Sequence, residues 1–517
     1  MTATIDMSIM DGRGRPRRSV RPGAPRWLAA FVAAVLFCAG ALGAPVRPNI
    51  VFILVDDLGA HDLAVTGSTY YETPNIDRLA AEGVRFTHAY SAAPTCSPTR
   101  AALLTGRYPH RLHITAAGPG WKDKPQHRLA SPDWIKYVRR SEFTYAEAFQ
   151  AAGYRTAHIG KWHVGGDPAD HGFDRVVPFT RVKDFADPWQ VERYTRAAER
   201  FIEDNRHRPF LLTISHGTVH VPLYEKPEHI AVFRDRPPSD NGQRNPVMAA
   251  MIRTLDESVG RILDKLRALD LDESTVVVFT SDNGGWQGAT SNLPLRGGKG
   301  WLYEGGIRIP LIIRWHGQAR AGLLVSEPVV STDLYPTFLG MAGLPPRPAQ
   351  HLDGLDLTPL LRGARDAWPR HSLYFHYPHY HVTEPHSAVI SDRWKLIHYY
   401  DTGRSELFDL KSDIGEHRDL AASRPAIAAR LQCMLDRHLD AIGAQRPIPN
   451  PGFDRGRGVR MPYVGRRDLL EDDERLDPRK YVADPDRDYG AGWTLDTPLP
   501  RMGCHRAIRA AGNNGPR

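Results

Sequence analysis

Short, continuous apolar runs alternate with stretches of helical periodicity between residues 48 and 363, and no other pattern in the chain narrows its fold as much. The run NIVFILV at residues 49–55 is apolar at every position after its first, which is typical of a strand that is covered on both faces. Strands that alternate with helices indicate sheets and helices packed in layers. We therefore predict an α/β domain over residues 47–363.

A smaller unit follows this domain. Residues 359–370 are rich in proline and arginine and have the composition of a linker. Strand patterns at residues 372–375, 387–391 and 394–399, followed by a helical pattern at residues 425–442, predict a C-terminal subdomain over residues 371–445. Residues 446–517 are rich in Arg, Asp, Pro and Gly, so we expect irregular loops or partial disorder there.

The N-terminus has the pattern of a signal peptide. Six arginines precede an apolar run at residues 27–44, which ends in small residues. The run is shorter than the roughly 20 apolar residues that a membrane span needs, so we favour cleavage near Gly43 or Ala44 over a membrane anchor. Residues 1–44 are thus predicted to direct export to the periplasm or the medium, with no stable membrane span in the mature chain.

The net charge argues against nucleic acid as a partner. The whole chain carries +8, and the leader's six Arg and two Asp account for half of it. The remaining chain is only mildly basic and has no dense Lys/Arg block with interleaved aromatic residues. That balance fits a carboxylate-bound metal or an anionic substrate.

Polar residues directly follow four of the predicted strands. In open α/β sheets, ligands bind outside the carboxyl ends of the strands, so we expect these side chains to meet at one rim. They are Asp56 and Asp57 after residues 49–55, Lys161 and His163 after residues 154–159, His216 and His220 after residues 210–214, and Asp282 and Asn283 after residues 275–280.

Four of these side chains are candidate metal ligands. Asp56, Asp57, Asp282 and Asn283 offer hard oxygen atoms, which suit Ca²⁺ or Mg²⁺ rather than zinc. Each pair by itself also reads as an ordinary turn. Their joint position at strand ends favours the metal site.

Of the four cysteines in the chain, Cys96 is the one with neither a place in the leader nor a candidate partner. Cys38 belongs to the leader, and Cys433 and Cys504 can pair with each other, although the sequence does not show it. Pro98 suits the first turn of a helix, which places Cys96 at a helix N-terminus. We interpret Cys96 as a reactive or modified residue, against the alternative of an inert buried thiol.

Two segments resemble a known family. Residues 94–100 read PTCSPTR and continue with LLTG at residues 103–106, and residues 153–163 read GYRTAHIGKWH. Both are similar to the signature segments of the type I, formylglycine-dependent sulfatases, which are arylsulfatase-like. The resemblance extends over residues 48–420. It implies an alkaline-phosphatase-like fold, with a large mixed β-sheet flanked by helices and a smaller C-terminal α+β domain that carries an antiparallel sheet.

The resemblance also implies a use for Cys96. In this family a formylglycine-generating enzyme reads Cys-x-Pro-x-Arg, here residues 96–100, and oxidises the cysteine to formylglycine (3-oxoalanine). One hydroxyl of the hydrated aldehyde attacks the sulfur and expels the alcohol. The other then re-forms the aldehyde and releases sulfate. Calcium, in preference to magnesium, is expected to be bound by Asp56, Asp57, Asp282, Asn283 and the modified Cys96.

Roles for the other residues follow from the same resemblance. Arg100 is expected to steady the formylglycine and the carboxylates. Lys161 and Lys299 are expected to hold the sulfate charge. His163 is expected to take the proton of the second hydroxyl, and His220 to protonate the leaving oxygen.

His220 is preferred over His216 at the end of the same strand. His220-Val221-Pro222 resembles the His-x-Pro of the family. His216 is then expected to be a core histidine or to support the site from behind.

Aromatic residues of the predicted C-terminal subdomain bear on the substrate. A run of His and Tyr at residues 374–381 suggests a surface that stacks on sugars, or else an ordinary strand end. We expect a sulfated carbohydrate, with aryl sulfates as surrogates. The alternatives are a phosphodiesterase or phosphonate monoester hydrolase of the same superfamily, a binding protein without catalysis, and a protein whose Cys96 stays a thiol.

Overall fold

The structure is a computed structural model that describes residues 47–118, 123–180, 184, 186–364 and 368–454. The predicted signal peptide, Cys38 and Cys504 lie outside these residues, as do residues 365–367 of the predicted linker and residues 455–517 of the predicted tail. Within the described ranges, no helix is both long enough and apolar enough to cross a membrane.

The strands of the described residues fall into one large sheet and three smaller ones. They are β1 (Asn49–Val55), β2 (Val84–Phe86), β3 (Ala89–Tyr90), β4 (Leu129–Ala130), β5 (Arg155–Gly160), β6 (Arg175–Pro178), β7 (Phe210–Ser215), β8 (Thr275–Ser281), β9 (Leu311–Arg314), β10 (Leu324–Val325), β11 (Val329–Val330), β12 (Ser372–Tyr377), β13 (His386–Ser391), β14 (Trp394–Tyr399), β15 (Ser405–Asp409) and β16 (Ile448–Pro449).

The large sheet has eight strands in the order β10-β2-β9-β8-β1-β7-β5-β6. It is mixed, because β9 runs antiparallel to β2 and β8 while the other neighbours pair in parallel. Every residue of β1 and β8 is buried. Alternate residues of β1 enter two separate cores: Val51 and Ile53 lie on one face of the sheet, and Ile50 and Phe52 on the other.

Helices cover both faces. They are α1 (Pro74–Glu82), α2 (Cys96–Thr105), α3 (Pro109–Leu112), α4 (Tyr145–Ala151), α5 (Val191–Asp204), α6 (Pro227–Ala231), α7 (Pro246–Ala268), α8 (Glu304–Ile307), α9 (Leu334–Met341), α10 (Thr358–Leu361) and α11 (Pro425–Ala441). The long α7 begins where Asn245 accepts hydrogen bonds from the backbone N–H groups of Val247 and Met248, with Pro246 as its first residue. It packs with α1 and α5 on one face of the sheet, and residues of α2, α4 and α9 enter the core on the other.

A four-stranded antiparallel sheet, in the order β12-β13-β14-β15, lies towards the C-terminal end of the described chain. Leu431, Leu435 and Leu439 of α11 pack on one of its faces. Residues of the other face, among them Phe375 and Phe408, pack against residues 301–303. The predicted α/β architecture with a C-terminal antiparallel sheet is thus confirmed, and the boundaries of its two domains stay predictions.

Candidate active site

The site lies at the carboxyl ends of four strands that are adjacent in the large sheet, β8, β1, β7 and β5. Asp56 and Asp57 follow β1, Lys161 follows β5, and Asp282 and Asn283 follow the strand residues of β8. Parallel pairing of these strands brings their ends side by side. The sheet therefore collects residues that are more than 200 positions apart in the chain.

Cys96 is the first residue of α2 and is 1% exposed. Its Sγ lies 3.3 Å from Oδ1 of Asp56 and 4.0 Å from Oδ1 of Asp57. Burial and the nearby carboxylates oppose ionisation of the thiol, but the charges of Lys161 and Lys299 outweigh them and lower the pKa of Cys96. The predicted helix N-terminus and the predicted meeting of Cys96 with the two aspartates are both present in the structure.

Two lysines neutralise the aspartates. Lys161 forms an ion pair with Asp56. Nζ of Lys299 lies 2.6 Å from Oδ1 and 2.8 Å from Oδ2 of Asp57. Burial opposes ionisation of Asp56, but Lys161 and the other cations around it hold the pKa of this carboxyl well below its usual value.

Arg100 lies one helical turn beyond Cys96 and is 3% exposed. Its Nε and Nη2 both lie 2.7 Å from Oδ2 of Asp282. Its Nη1 donates to Oγ of Ser215 at 2.6 Å and to the backbone oxygen of Lys161 at 3.0 Å. One guanidinium thereby connects the ends of β5, β7 and β8.

The oxygen-rich part of the site fits a hard cation. Asp56, Asp57, Cys96 and His220 offer ligand atoms that lie within 4.8 Å of one another. Nδ2 of Asn283 donates to Asp57 at 2.8 Å, whereas its Oδ1 is buried and has no hydrogen-bond partner among the described residues. A buried carbonyl oxygen without a donor is costly and suits Ca²⁺ or Mg²⁺ as a ligand.

Asp282 stands slightly apart from that group. Its Oδ1 accepts the backbone N–H of Asp57 at 3.2 Å, and its Oδ2 accepts Arg100. Burial and the neighbouring Asp56 raise the pKa of Asp282 well above its usual value. Asp282 therefore contacts the backbone of Asp57 directly and is connected to the other site residues through Arg100.

The three histidines occupy different environments. Nε2 of His220 lies 3.7 Å from Oδ2 of Asp57. His163 adopts a left-handed backbone conformation, with φ of 61°, and burial together with the charges of Lys161 and Arg100 lowers its pKa to about 2. His216 is fully buried, and burial lowers its pKa to about 4. His216 thus behaves as a core histidine.

Sequence reasoning missed Ser215. This last residue of β7 accepts the hydrogen bond from Arg100 and donates one to the backbone oxygen of Lys161 at 2.7 Å. Its signal in the sequence is weak, because a serine at a strand end is common. Its position beside His216 at the same rim is the only indication.

Of the two interpretations of residues 374–381, the sugar-stacking surface is wrong for most of the run, and the ordinary strand end fits it. His376 bonds Ser387, His379 bonds Thr115, and Tyr380 donates to Asp401, and these three aromatic side chains are buried. Their rings are therefore held in the protein interior. His381 differs, because its ring lies against Gly300 next to Lys299: a Cβ added to Gly300 would lie 2.5 Å from Nδ1 of His381.

Comparison with known proteins identifies the family. A family model described as Sulfatase matches residues 48–344, and one described as N-sulphoglucosamine sulphohydrolase, C-terminal, matches residues 298–445. N-acetylgalactosamine-6-sulfatase of Mus musculus is 36% identical over 369 residues, which are 62% of this chain and 68% of that protein. A sulfatase of Formosa agariphila is 30% identical over 475 residues, covering 74% of this chain and 85% of that protein.

Solved structures agree with this assignment. The crystal structure of Ps i-CgsB in complex with k-i-k-neocarrahexaose is similar with a TM-score of 0.66 and 29% identity, covering 76% of this chain and 93% of that one. The family model spans more than half of the sequence, from the first strand of the large sheet to beyond α9. The chain therefore belongs to the sulfatase family and is an enzyme that hydrolyses sulfate esters.

Proposed function

We propose that the protein hydrolyses sulfate esters of carbohydrates with a formylglycine made from Cys96 and with a bound calcium ion. The observation that carries this proposal is the surroundings of Cys96. Its sulfur stands where the reacting oxygen of formylglycine would stand, within 3.3 Å and 4.0 Å of two aspartates. Two partly buried lysines pair with those aspartates. A nucleophile placed between a cation site and fixed positive charges suits attack on an anionic ester.

The calcium would be held by Asp56, Asp57, Asp282 and Asn283, with the modified Cys96 beside it. The buried carbonyl oxygen of Asn283, which accepts no hydrogen bond from the described residues, and the closely spaced aspartates support this set. When bound, such an ion polarises sulfate oxygens and lowers the pKa of a neighbouring hydroxyl.

The remaining side chains have roles that match their charges. Lys161 and Lys299 would bind the sulfate oxygens, and Arg100 would keep the aspartates in position. His163, which burial and the neighbouring cations hold in the neutral form, would accept the proton of the second hydroxyl. Burial opposes protonation of His220, but the two aspartates outweigh burial and raise its pKa. His220 would therefore donate a proton to the leaving oxygen.

A sulfated carbohydrate is proposed as the substrate. The relatives in Mus musculus and Homo sapiens are named N-acetylgalactosamine-6-sulfatase, and the similar crystal structure holds a neocarrahexaose. Those names concern the other proteins, and they support a sugar sulfate here. Aryl sulfates are proposed as convenient surrogates.

Export and domain division are part of the same proposal. Residues 1–44 would act as a cleaved signal peptide that directs the enzyme to the periplasm or the medium. Residues 47–363 would form the catalytic domain, residues 371–445 the C-terminal subdomain, and residues 446–517 a tail. Near the start of that tail, β16 pairs with β4 in a short antiparallel sheet.

The decisive experiment is the mass of the tryptic peptide of residues 86–100, taken from active protein made in its own host. Conversion of the Cys96 thiol to an aldehyde lowers that mass by about 18 Da. We expect the aldehyde in active enzyme, and no sulfate release from Cys96→Ala, while the control Cys433→Ala keeps full activity. Active protein with an alkylatable thiol at Cys96 would contradict the proposal. Faster turnover of phosphonate or phosphate esters than of sulfate esters would contradict the substrate class.

A further inference from the structure

A cleft of about 600 Å³ runs along the free edge of the large sheet, between β6 and α5. None of the proposed catalytic residues lines it. Its ionisable lining residues come from β5, β6, α5 and the segment before β7, and five of the six are arginines. They are Arg155, Arg175, Arg193, Arg200, Arg208 and Asp204.

The positive charges of this arginine cleft are largely uncompensated. Within the described part of the chain, Arg155 is the only one of the five that forms an ion pair, with Asp174 at 3.4 Å. Arg193 and Arg208 donate to neutral oxygen atoms. All five side chains belong to exposed residues. Like charges that face one cleft repel one another and concentrate anions from solution.

A structural role explains only part of this arrangement. Charged side chains on an edge strand hinder pairing with another sheet, which accounts for Arg175 on β6. It does not account for Arg193 and Arg200, which lie on the face of α5 that is turned towards the strand, or for Arg208 in the loop. A surface selected for solubility alone mixes both signs of charge.

We propose that the arginine cleft binds a sulfated carbohydrate chain at a second site, outside the active site. Guanidinium groups bind sulfate through pairs of parallel N–H donors. The helix axis rises about 10 Å between Arg193 and Arg200, which suits several sulfates spaced along a chain better than one small anion. The choice of a sulfated sugar over other polyanions rests on the function proposed above.

The cleft reaches the end of the sheet that carries the active site. Pro178, the last residue of β6, pairs with Gly160 directly before Lys161. Trp189, two residues before α5, has its ring centroid 6.2 Å from that of His220. Arg155 and Arg175 begin β5 and β6 at the opposite end of the sheet, so a polymer that runs the length of the cleft brings its other sulfate esters towards the catalytic residues and raises their local concentration.

The test is a binding measurement by isothermal titration calorimetry at low ionic strength, with the full chain and dextran sulfate as the probe. We expect the double variant R175Q/R200Q to weaken binding by about ten-fold or more. The matched control R430Q/R437Q removes two exposed arginines from α11 and should change affinity by less than about two-fold. R193Q/R208Q tests the same cleft if the first double variant lowers the thermal unfolding midpoint.

Three results would overturn the inference. Equal weakening in the cleft variant and in the α11 control would show a general effect of net charge. Loss of binding in Lys299→Ala, with R175Q/R200Q unchanged, would place the polymer in the active site. Displacement of dextran sulfate by sodium sulfate at the same concentration of sulfate groups would make the cleft a site for small anions. Binding is read without turnover, so a failure to release sulfate would overturn the proposed function and leave this result standing.

Discussion

Arg100 joins three strand ends through one side chain. Its guanidinium contacts the Asp282 carboxylate, the Ser215 hydroxyl and a backbone oxygen, all in the buried interior. A lysine offers one ammonium group and cannot reproduce this fork of donors. The residue therefore sets the relative position of the groups around Cys96.

Arg100→Lys is expected to lower kcat/KM for an aryl sulfate by about 100-fold. Arg100→Met is expected to destabilise the fold by about 3–5 kcal/mol, because it leaves the buried Asp282 without its partner. Steady-state kinetics and urea unfolding measure the two effects. Arg78→Lys is the matched control, since Arg78 pairs with the largely exposed Asp264, and it should shift stability by less than about 1 kcal/mol. If Arg100→Lys kept the wild-type kcat/KM, a positive charge at position 100 would be enough for activity, and the fork of donors would not be needed.

His216 makes the fold sensitive to acid. Neither ring nitrogen has a hydrogen-bond partner among the described residues, and burial lowers the pKa of His216 to about 4. The unfolded chain binds this proton near pH 6.5 while the folded chain does not. Stability is therefore lost as the pH falls from about 6.5 towards 4.

His216→Leu should remove that loss. Between pH 7.5 and pH 5, the free energy of unfolding of the wild type should fall by about 2 kcal/mol more than that of the variant. Chemical unfolding at both pH values gives this double difference. The exposed His207 is the control, and His207→Leu should follow the wild type. An equal fall in His216→Leu and wild type would contradict a neutral, buried His216.

At the scale of elements, the turn after β8 and the loop that carries Lys299 are in close contact. A Cβ added to Gly284 would lie 1.9 Å from the backbone oxygen of Gly305. Only a residue without a side chain permits this approach. Next to it, the backbone N–H of Lys299 donates to the backbone oxygen of Gly285 at 3.0 Å, so this turn also holds Lys299 near Asn283.

Gly284→Ala should therefore separate the two segments. We expect a loss of about 1–3 kcal/mol in the free energy of unfolding, as for other overpacked sites, and a fall in kcat/KM of about ten-fold or more. Thermal unfolding and kinetics are the measurements. Gly452→Ala is the control, because its added carbon would meet nothing closer than 3.5 Å. Unchanged kinetics in a destabilised Gly284→Ala would mean that this contact serves the fold alone.

At the scale of the whole molecule, a buried charge cluster ties the C-terminal sheet to the active-site loop. Lys395 of β14 contacts Glu304 at 3.0 Å and Glu416 at 2.8 Å, and all three side chains are fully buried. Burial raises the pKa of Glu416 to about 7, and the neighbouring Glu304 adds to this shift against the opposing charge of Lys395. Glu304 lies five residues after Lys299 in the chain. The buried cluster therefore holds in place the segment that follows Lys299.

Lys395→Met should lower the free energy of unfolding by about 3–5 kcal/mol, because it leaves a buried carboxylate without a cation. Urea unfolding measures the loss, and the double variant Lys395→Met/Glu416→Gln should recover part of it by removing one of the two carboxyl groups. Kinetics at a temperature where the variant stays folded should show a raised KM if the Lys299 loop has moved. A loss below about 1 kcal/mol would contradict a stabilising connection between the C-terminal sheet and the loop that carries Lys299.

Much of the fold could be predicted from the sequence, because its strands are short apolar runs that end in polar residues. The predicted strand at residues 49–55 coincides with β1, and residues 394–399 coincide with β14. The rim residues were found for the same reason, since a parallel sheet aligns its strand ends. Cys96 was distinguished as the cysteine left over at a predicted helix start, and the family signatures added its expected modification and the role of Arg100.

What the sequence by itself determined is local: strand ends, the start of α2 and the identity of the family segments. Only the tertiary structure decided which buried groups meet across long distances in the chain. It placed His216 in the core, Ser215 under Arg100, and the His/Tyr run in the interior. It also gathered five arginines from separate elements along one sheet edge. The physical reason is that packing and side-chain hydrogen bonds depend on distances between elements, which local residue patterns do not encode.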